Sequence, residues 1–88
     1  MASRPRGLIK SLHSKEQLAF RELLIETRRQ AGLTQYELAE LLKRPQSFIA
    51  KYEGGERRLD VVEFIAIARA MNSDPIRIIR ALIKQFKQ

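Results

Sequence analysis

Thr34-Gln35-Tyr36-Glu37-Leu38-Ala39-Glu40-Leu41-Leu42, then Lys43 and Arg44, then Pro45-Gln46-Ser47-Phe48-Ile49-Ala50-Lys51-Tyr52-Glu53-Gly54-Gly55, is the stretch on which the fold turns. Thr34 with Glu37 is a capping box, in which a hydroxyl and a carboxylate satisfy backbone N–H groups at a helix start. The helix it opens reaches a core through Leu38, Ala39 and Leu42. Pro45 suits the first turn of a following helix, where its missing N–H costs no bond, and Gly55 suits that helix's end. Helices this short are marginal alone in water, so two in succession exist only by packing. Ala39 has to be small if the second helix crosses close above it, while Ile49 and Tyr52 face the same core as Leu38. Gln46, Ser47, Ala50 and Lys51 then point outward. They offer an amide, a hydroxyl, a methyl and an ammonium, which are groups able to meet base edges in a major groove. An ordinary solvated helix face is the plainer reading of the same four residues.

Working outward, the remainder also reads as helix, because no segment alternates apolar and polar residues at period two. Ser14 with Gln17 gives a capping box for a helix that Gly32 closes as a left-handed C-cap, with Leu18, Leu24, Ile25 and Ala31 forming much of its inward stripe. Asp60 with Glu63 gives a third box, ahead of Val61, Val62, Phe64, Ile65, Ala68 and Met71. Asn72 to Pro75 breaks the chain, and Pro75 starts a final helix. On that helix Ile76, Ile78, Ile79, Leu82, Ile83 and Phe86 occupy one arc, opposite Arg77, Arg80, Lys84 and Lys87.

Eighty-eight residues suffice for one domain with a small core, and leave little room for a separate effector-binding domain. The expected organisation is a basic arm over residues 1–13 and an all-α domain over 14–88. With no cysteine and one histidine, neither a disulfide framework nor a metal site is expected, and no cofactor is implied. His13 reads as a solvated residue before the Ser14 cap. No stretch approaches a membrane span or a signal peptide, so a cytoplasmic protein is the expectation. The net charge of +7 is unevenly placed. Residues 1–15 and 75–88 hold four bases each and no acid, whereas residues 16–74 hold nine bases against ten acids. The charge therefore belongs to the ends, and supports nucleic-acid binding only through a local cluster of Lys43, Arg44, Lys51, Arg57 and Arg58.

Gly32-Leu33-Thr34-Gln35, Leu38-Ala39, Gln46-Ser47 with Ile49, Lys51-Tyr52-Glu53 and Gly55-Glu56-Arg57-Arg58 stand in the register of the XRE family of helix-turn-helix regulators, which includes the lambdoid phage repressors and Cro proteins. The chain resembles that family over roughly residues 18–75. The resemblance implies a compact five-helix, lambda-repressor-like domain, with its third helix in the major groove of double-stranded DNA and its second across the backbone. It implies that Gln46, Ser47 and Lys51 face base edges, that Ala50 touches a thymine methyl, and that Gln35 bonds a phosphate. It also implies an ion pair between Arg28 and Glu53, and backbone contacts from Lys43, Arg44, Arg57 and Arg58. Gln35 as a helix cap, Lys51 on a phosphate, and Arg57 and Arg58 in a solvated loop are the plainer alternatives. The family usually has glycine where Lys43 stands and an apolar residue where Arg44 stands. A left-handed Lys43 would carry about 1 kcal/mol of strain.

One monomer's core would hardly use the whole arc of the last helix. Ile76 and Ile79 are expected in that core, and Leu82, Ile83 and Phe86 in a symmetric homodimer. A basic amphipathic helix lying on a membrane surface or a partner is the rival. The expected function is sequence-specific DNA binding as a small transcriptional repressor, dimeric on a nearly palindromic operator. The alternative is an antitoxin-like module that binds a protein partner and its own operator. No carboxylate pair falls in an evident pocket, so an enzyme is not expected.

Overall fold

The computed structural model describes residues 14–86. The arm over residues 1–13, with Lys87 and Gln88, lies outside the described residues. Five helices follow in order: α1 Lys15–Gln30, α2 Gln35–Leu42, α3 Gln46–Glu53, α4 Val61–Ala70 and α5 Pro75–Phe86. Three of them start on the side chains expected from sequence. Ser14 accepts from the Gln17 amide, and full reciprocal capping boxes form at Thr34–Glu37 and Asp60–Glu63. Pro45 stands one position earlier than expected: it is the N-cap of α3 rather than part of its first turn.

The first four helices end in the same way. Gly32, Lys43, Gly55 and Asn72 each take positive φ. At each, the following residue's N–H reaches back five residues, as in Arg44 N to Ala39 O at 3.0 Å and Ser73 N to Ala68 O at 2.9 Å. This paired closure satisfies the orphan carbonyls of a helix end and turns the chain sharply. Lys43, at φ 56° and ψ 42°, is the one of the four that is neither glycine nor asparagine, so the expected left-handed lysine is present.

The helices enclose Leu24, Leu38, Ala39, Phe48, Ile49, Tyr52, Phe64, Ile67, Ala68, Met71 and Ile78. Leu24, Leu38, Ile49 and Ile67 are almost wholly buried, each contributing about 1.5–3 kcal/mol relative to exposure. Several apolar positions differ from expectation. On α1, Leu18 is 45% exposed and Ala31 is exposed, while Phe20 and Leu23 pack on the core beside Leu24. Arg28 lies on that same face, and a polar residue inside an inward stripe disguises its phase. On α4, Val61, Val62 and Ile65 face outward, and the core takes Phe64, Ile67, Ala68 and Met71 at i, i+3, i+4 and i+7. On α5, the core takes Ile78, with Leu82 half-buried. Ile76, at 57% exposure, and Ile79 do not enter it. The apolar arc of α5 is real, but periodicity does not say which edge of it meets α1 and α4.

Candidate nucleic-acid interface

The small methyl of Ala39 and the fully buried Leu38 let α3 lie close on α2, where Ile49 and Tyr52 fill the space between them. Phe48 is buried too, with its ring edge-on to Tyr52 at 5.5 Å. With residues 48, 49, 52 and 53 turned inward, helical spacing turns 46, 47, 50 and 51 outward. Gln46, Ser47 and Lys51 are exposed and Ala50 is half-buried, so one α3 face carries all four expected base readers.

A chain of polar bonds runs from α1 to that face. Glu53 Oε2 accepts from Arg28 Nε at 2.8 Å, and its Oε1 accepts from Arg28 Nη2 at 3.1 Å and from Gln35 Nε2 at 2.9 Å. Arg28 Nη1 donates to Leu33 O at 2.8 Å, and Gln46 Nε2 donates to Gln35 Oε1 at 2.9 Å. The Arg28–Glu53 pair expected from the resemblance is therefore present, and it is nearly dry, with side-chain exposures of 11% and 4%. A carboxylate at the C-terminal end of α3 is on the unfavourable side of the helix dipole, which Arg28 offsets. Hydrogen bonding to Glu53 raises the Arg28 pKa still further, so its charge is permanent. The Gln35 side chain does not cap its own helix but joins Glu53 to Gln46, which leaves one amide N–H unused. Gln46 keeps one N–H and its carbonyl oxygen, which are the two groups a bidentate pair with adenine requires.

The cations around α3 are not equivalent. Arg57 grips Glu63 in bidentate fashion, Nη1 to Oε1 at 3.0 Å and Nη2 to Oε2 at 2.7 Å, and also donates to Arg58 O. This bond, followed by the backbone bond of the α4 capping box, lowers the Glu63 pKa from an ordinary 4.5 to about 2. Arg44 and Arg57 both approach the Phe48 ring, their guanidinium carbons at 4.0 and 4.9 Å from its centroid. Lys43, Lys51 and Arg58 are exposed. Phe48 and Glu63 had no part in the interface as read from sequence. Glu63 was visible only as a cap, and nothing in its spacing announced Arg57. Among the described residues no cluster of His, Cys, Asp or Glu could hold a metal ion. No helix among them is long and apolar enough to cross a membrane.

Five helices with an exposed, braced third helix on a tight turn define a helix-turn-helix DNA-binding domain. The chain matches the helix-turn-helix family over residues 24–78. It is similar to an XRE-family like protein from Pseudomonas syringae pv. tomato str. DC3000, 44% identical, over 84% of this chain and 90% of that one, with a TM-score of 0.79. The restriction-modification controller protein C.AhdI from Aeromonas hydrophila is 30% identical over 69% of this chain and 92% of its own, with a TM-score of 0.64. The wild-type controller protein C.Esp1396I, 20% identical with a TM-score of 0.76, shares the fold over 86% of this chain and 97% of its own. No curated protein matches the chain. The chain belongs to the XRE family of helix-turn-helix proteins and is a DNA-binding transcription regulator.

Proposed function

We propose that the protein binds a nearly palindromic operator as a homodimer and represses by occupying a promoter. The observation that carries base reading is the bond chain from Arg28 through Glu53 and Gln35 to Gln46, which fixes an exposed amide at the start of α3 before DNA arrives. In this reading Gln46 pairs with adenine, Lys51 donates to guanine O6 and N7, Ser47 adds little discrimination, and Ala50 meets a thymine methyl. Gln35, Lys43, Arg44 and Arg58 are assigned to the backbone. Two α3 helices about 34 Å apart would read half-sites one DNA turn apart. The apolar side chains left outside on α5 supply the dimer face, with Ile83 and Phe86 exposed and Leu82 at its half-buried edge. Likeness to C.AhdI supports a regulator of the controller type.

The decisive experiment is selection of bound duplexes from a random pool, repeated with Gln46→Ala and Lys51→Ala. Loss of preference at one position per half-site, costing about 1–3 kcal/mol there, is the expected result. A uniform loss on every sequence would demote both residues to backbone contacts.

A further inference from the structure

Resting on that DNA-binding reading, we propose that Phe48 is a positioning residue that braces the Arg44 guanidinium at the α2–α3 turn as a fixed phosphate contact, while Glu63 withdraws Arg57 from DNA. Three observations converge on this division. Arg44 lies one residue before the Pro45 cap of α3, and its backbone is pinned by the bond from its N–H to Ala39 O at 3.0 Å. Its guanidinium carbon lies 4.0 Å from the Phe48 ring centroid, and no ion pair or hydrogen bond among the described residues uses its side-chain donors. The Arg57 guanidinium is spent by contrast: two of its donor groups hold Glu63, one of them also Arg58 O, and its carbon stands 4.9 Å from the same ring.

A ring on a guanidinium leaves the edge N–H groups free while it restricts the side chain's rotamers. The fork is thereby pre-organised for an anionic oxygen pair. Phe48 is itself 7% exposed, buried in the α2–α3 contact, so it cannot drift with the arginine it carries. A salt-bridged Arg57 adds little net charge toward DNA, and its role is to tie the α3–α4 loop to α4.

The test measures dissociation constants of the full chain for a pool-selected duplex and for an unselected duplex of equal length, across a range of salt. Arg44→Ala is expected to reduce the salt slope by about one unit and to weaken both duplexes alike. Arg57→Ala is expected to keep the slope. Phe48→Leu, which fills the site without a π face, is expected to cost about two- to fivefold in affinity beside Arg44 and nothing beside Arg44→Ala. Phe48→Tyr is expected to restore the affinity, and thermal unfolding of each variant identifies any that fails to fold. A slope unchanged by Arg44→Ala, a slope lowered by Arg57→Ala, or equal loss from Phe48→Leu in both backgrounds would overturn the proposal. If Gln46→Ala still relaxes the sequence preference in that case, only this inference falls. If no duplex binds, the DNA-binding reading falls with it.

Discussion

At the scale of single residues, the Arg28–Glu53 pair serves placement more than stability. A nearly dry ion pair gains Coulomb energy but loses the hydration of both ions, and its net worth is often close to nil. Removing one partner is different, because the other charge stays buried and uncompensated. Arg28→Ala is therefore expected to lower unfolding stability by about 3 kcal/mol in urea titration, and to lower DNA affinity as well. Unchanged unfolding would show that Glu53 finds other solvation. The double variant Arg28→Leu with Glu53→Leu is expected to recover most of the stability but not the DNA affinity, since Gln35 then has no anchor and Gln46 loses its fixed support. Lys43 is a separate case. Its left-handed backbone closes α2 and costs about 1 kcal/mol of strain that glycine would not carry. Lys43→Gly should accordingly raise unfolding stability, and with it the urea midpoint, by less than about 1 kcal/mol, because the greater freedom of glycine in the unfolded chain offsets part of the strain released. A fall in midpoint would mean that the lysine stem contributes packing worth more than the strain.

At the scale of elements, the start of α4 holds the loop that follows the reading helix, and Glu63 does both jobs. It caps Asp60 N at 3.0 Å and holds Arg57 at 2.7 Å. Its pKa is depressed on folding, so its contribution is present above the ordinary 4.5 and is lost as pH falls toward about 2. The stability gap between wild type and Glu63→Gln should thus be constant near neutrality and close as pH drops through that window. A gap that stays constant down to about pH 2 would show that the bonds, not the charge, carry the effect. The helix starts at Ser14, Thr34 and Asp60 were legible in the sequence because a cap is local: two residues three apart write both halves of it at Thr34 and Asp60, and Ser14 writes the first half at α1. The turn at Lys43 was legible by register with a family that places glycine there. The second use of Glu63 was not, since Arg57 lies on another element and a capping box explains the residue completely. Phe48 was not legible either, since an apolar residue on a short helix does not announce the arginine that lies over its ring. The phase of α1 was misjudged because Arg28 occupies its inward face.

At the scale of the whole molecule, the net charge belongs to the two ends of the sequence, and the exposed apolar surface gathers on α4 and α5. The middle of the chain is nearly neutral, so the basic ends would give general attraction to a polyanion, and in the proposed reading α3 supplies the discrimination. On α4 and α5, Val61, Val62, Ile65, Ile76, Ile79, Ile83 and Phe86 are exposed, and Val61, Ile79 and Phe86 border one apolar groove with Phe20 and Phe64. So much apolar surface on neighbouring helices of one small domain fits a partner-facing side, and the proposed second copy would let two α3 helices act on one duplex. Ile83, at 53% exposure, adds little to the monomer core, so Ile83→Lys should leave thermal unfolding of the monomer unchanged. It should convert a sedimenting dimer to monomer at on the order of tens of micromolar, where association is set by mass action. Affinity for a palindromic duplex should then fall by about a hundredfold, because the second half-site is no longer presented at the high effective concentration that linkage confers. Affinity for an isolated half-site should stay as it was. A wild-type chain that sediments as a monomer would remove the dimer. Equal losses on half-site and palindrome would instead place Ile83 in the DNA-binding surface.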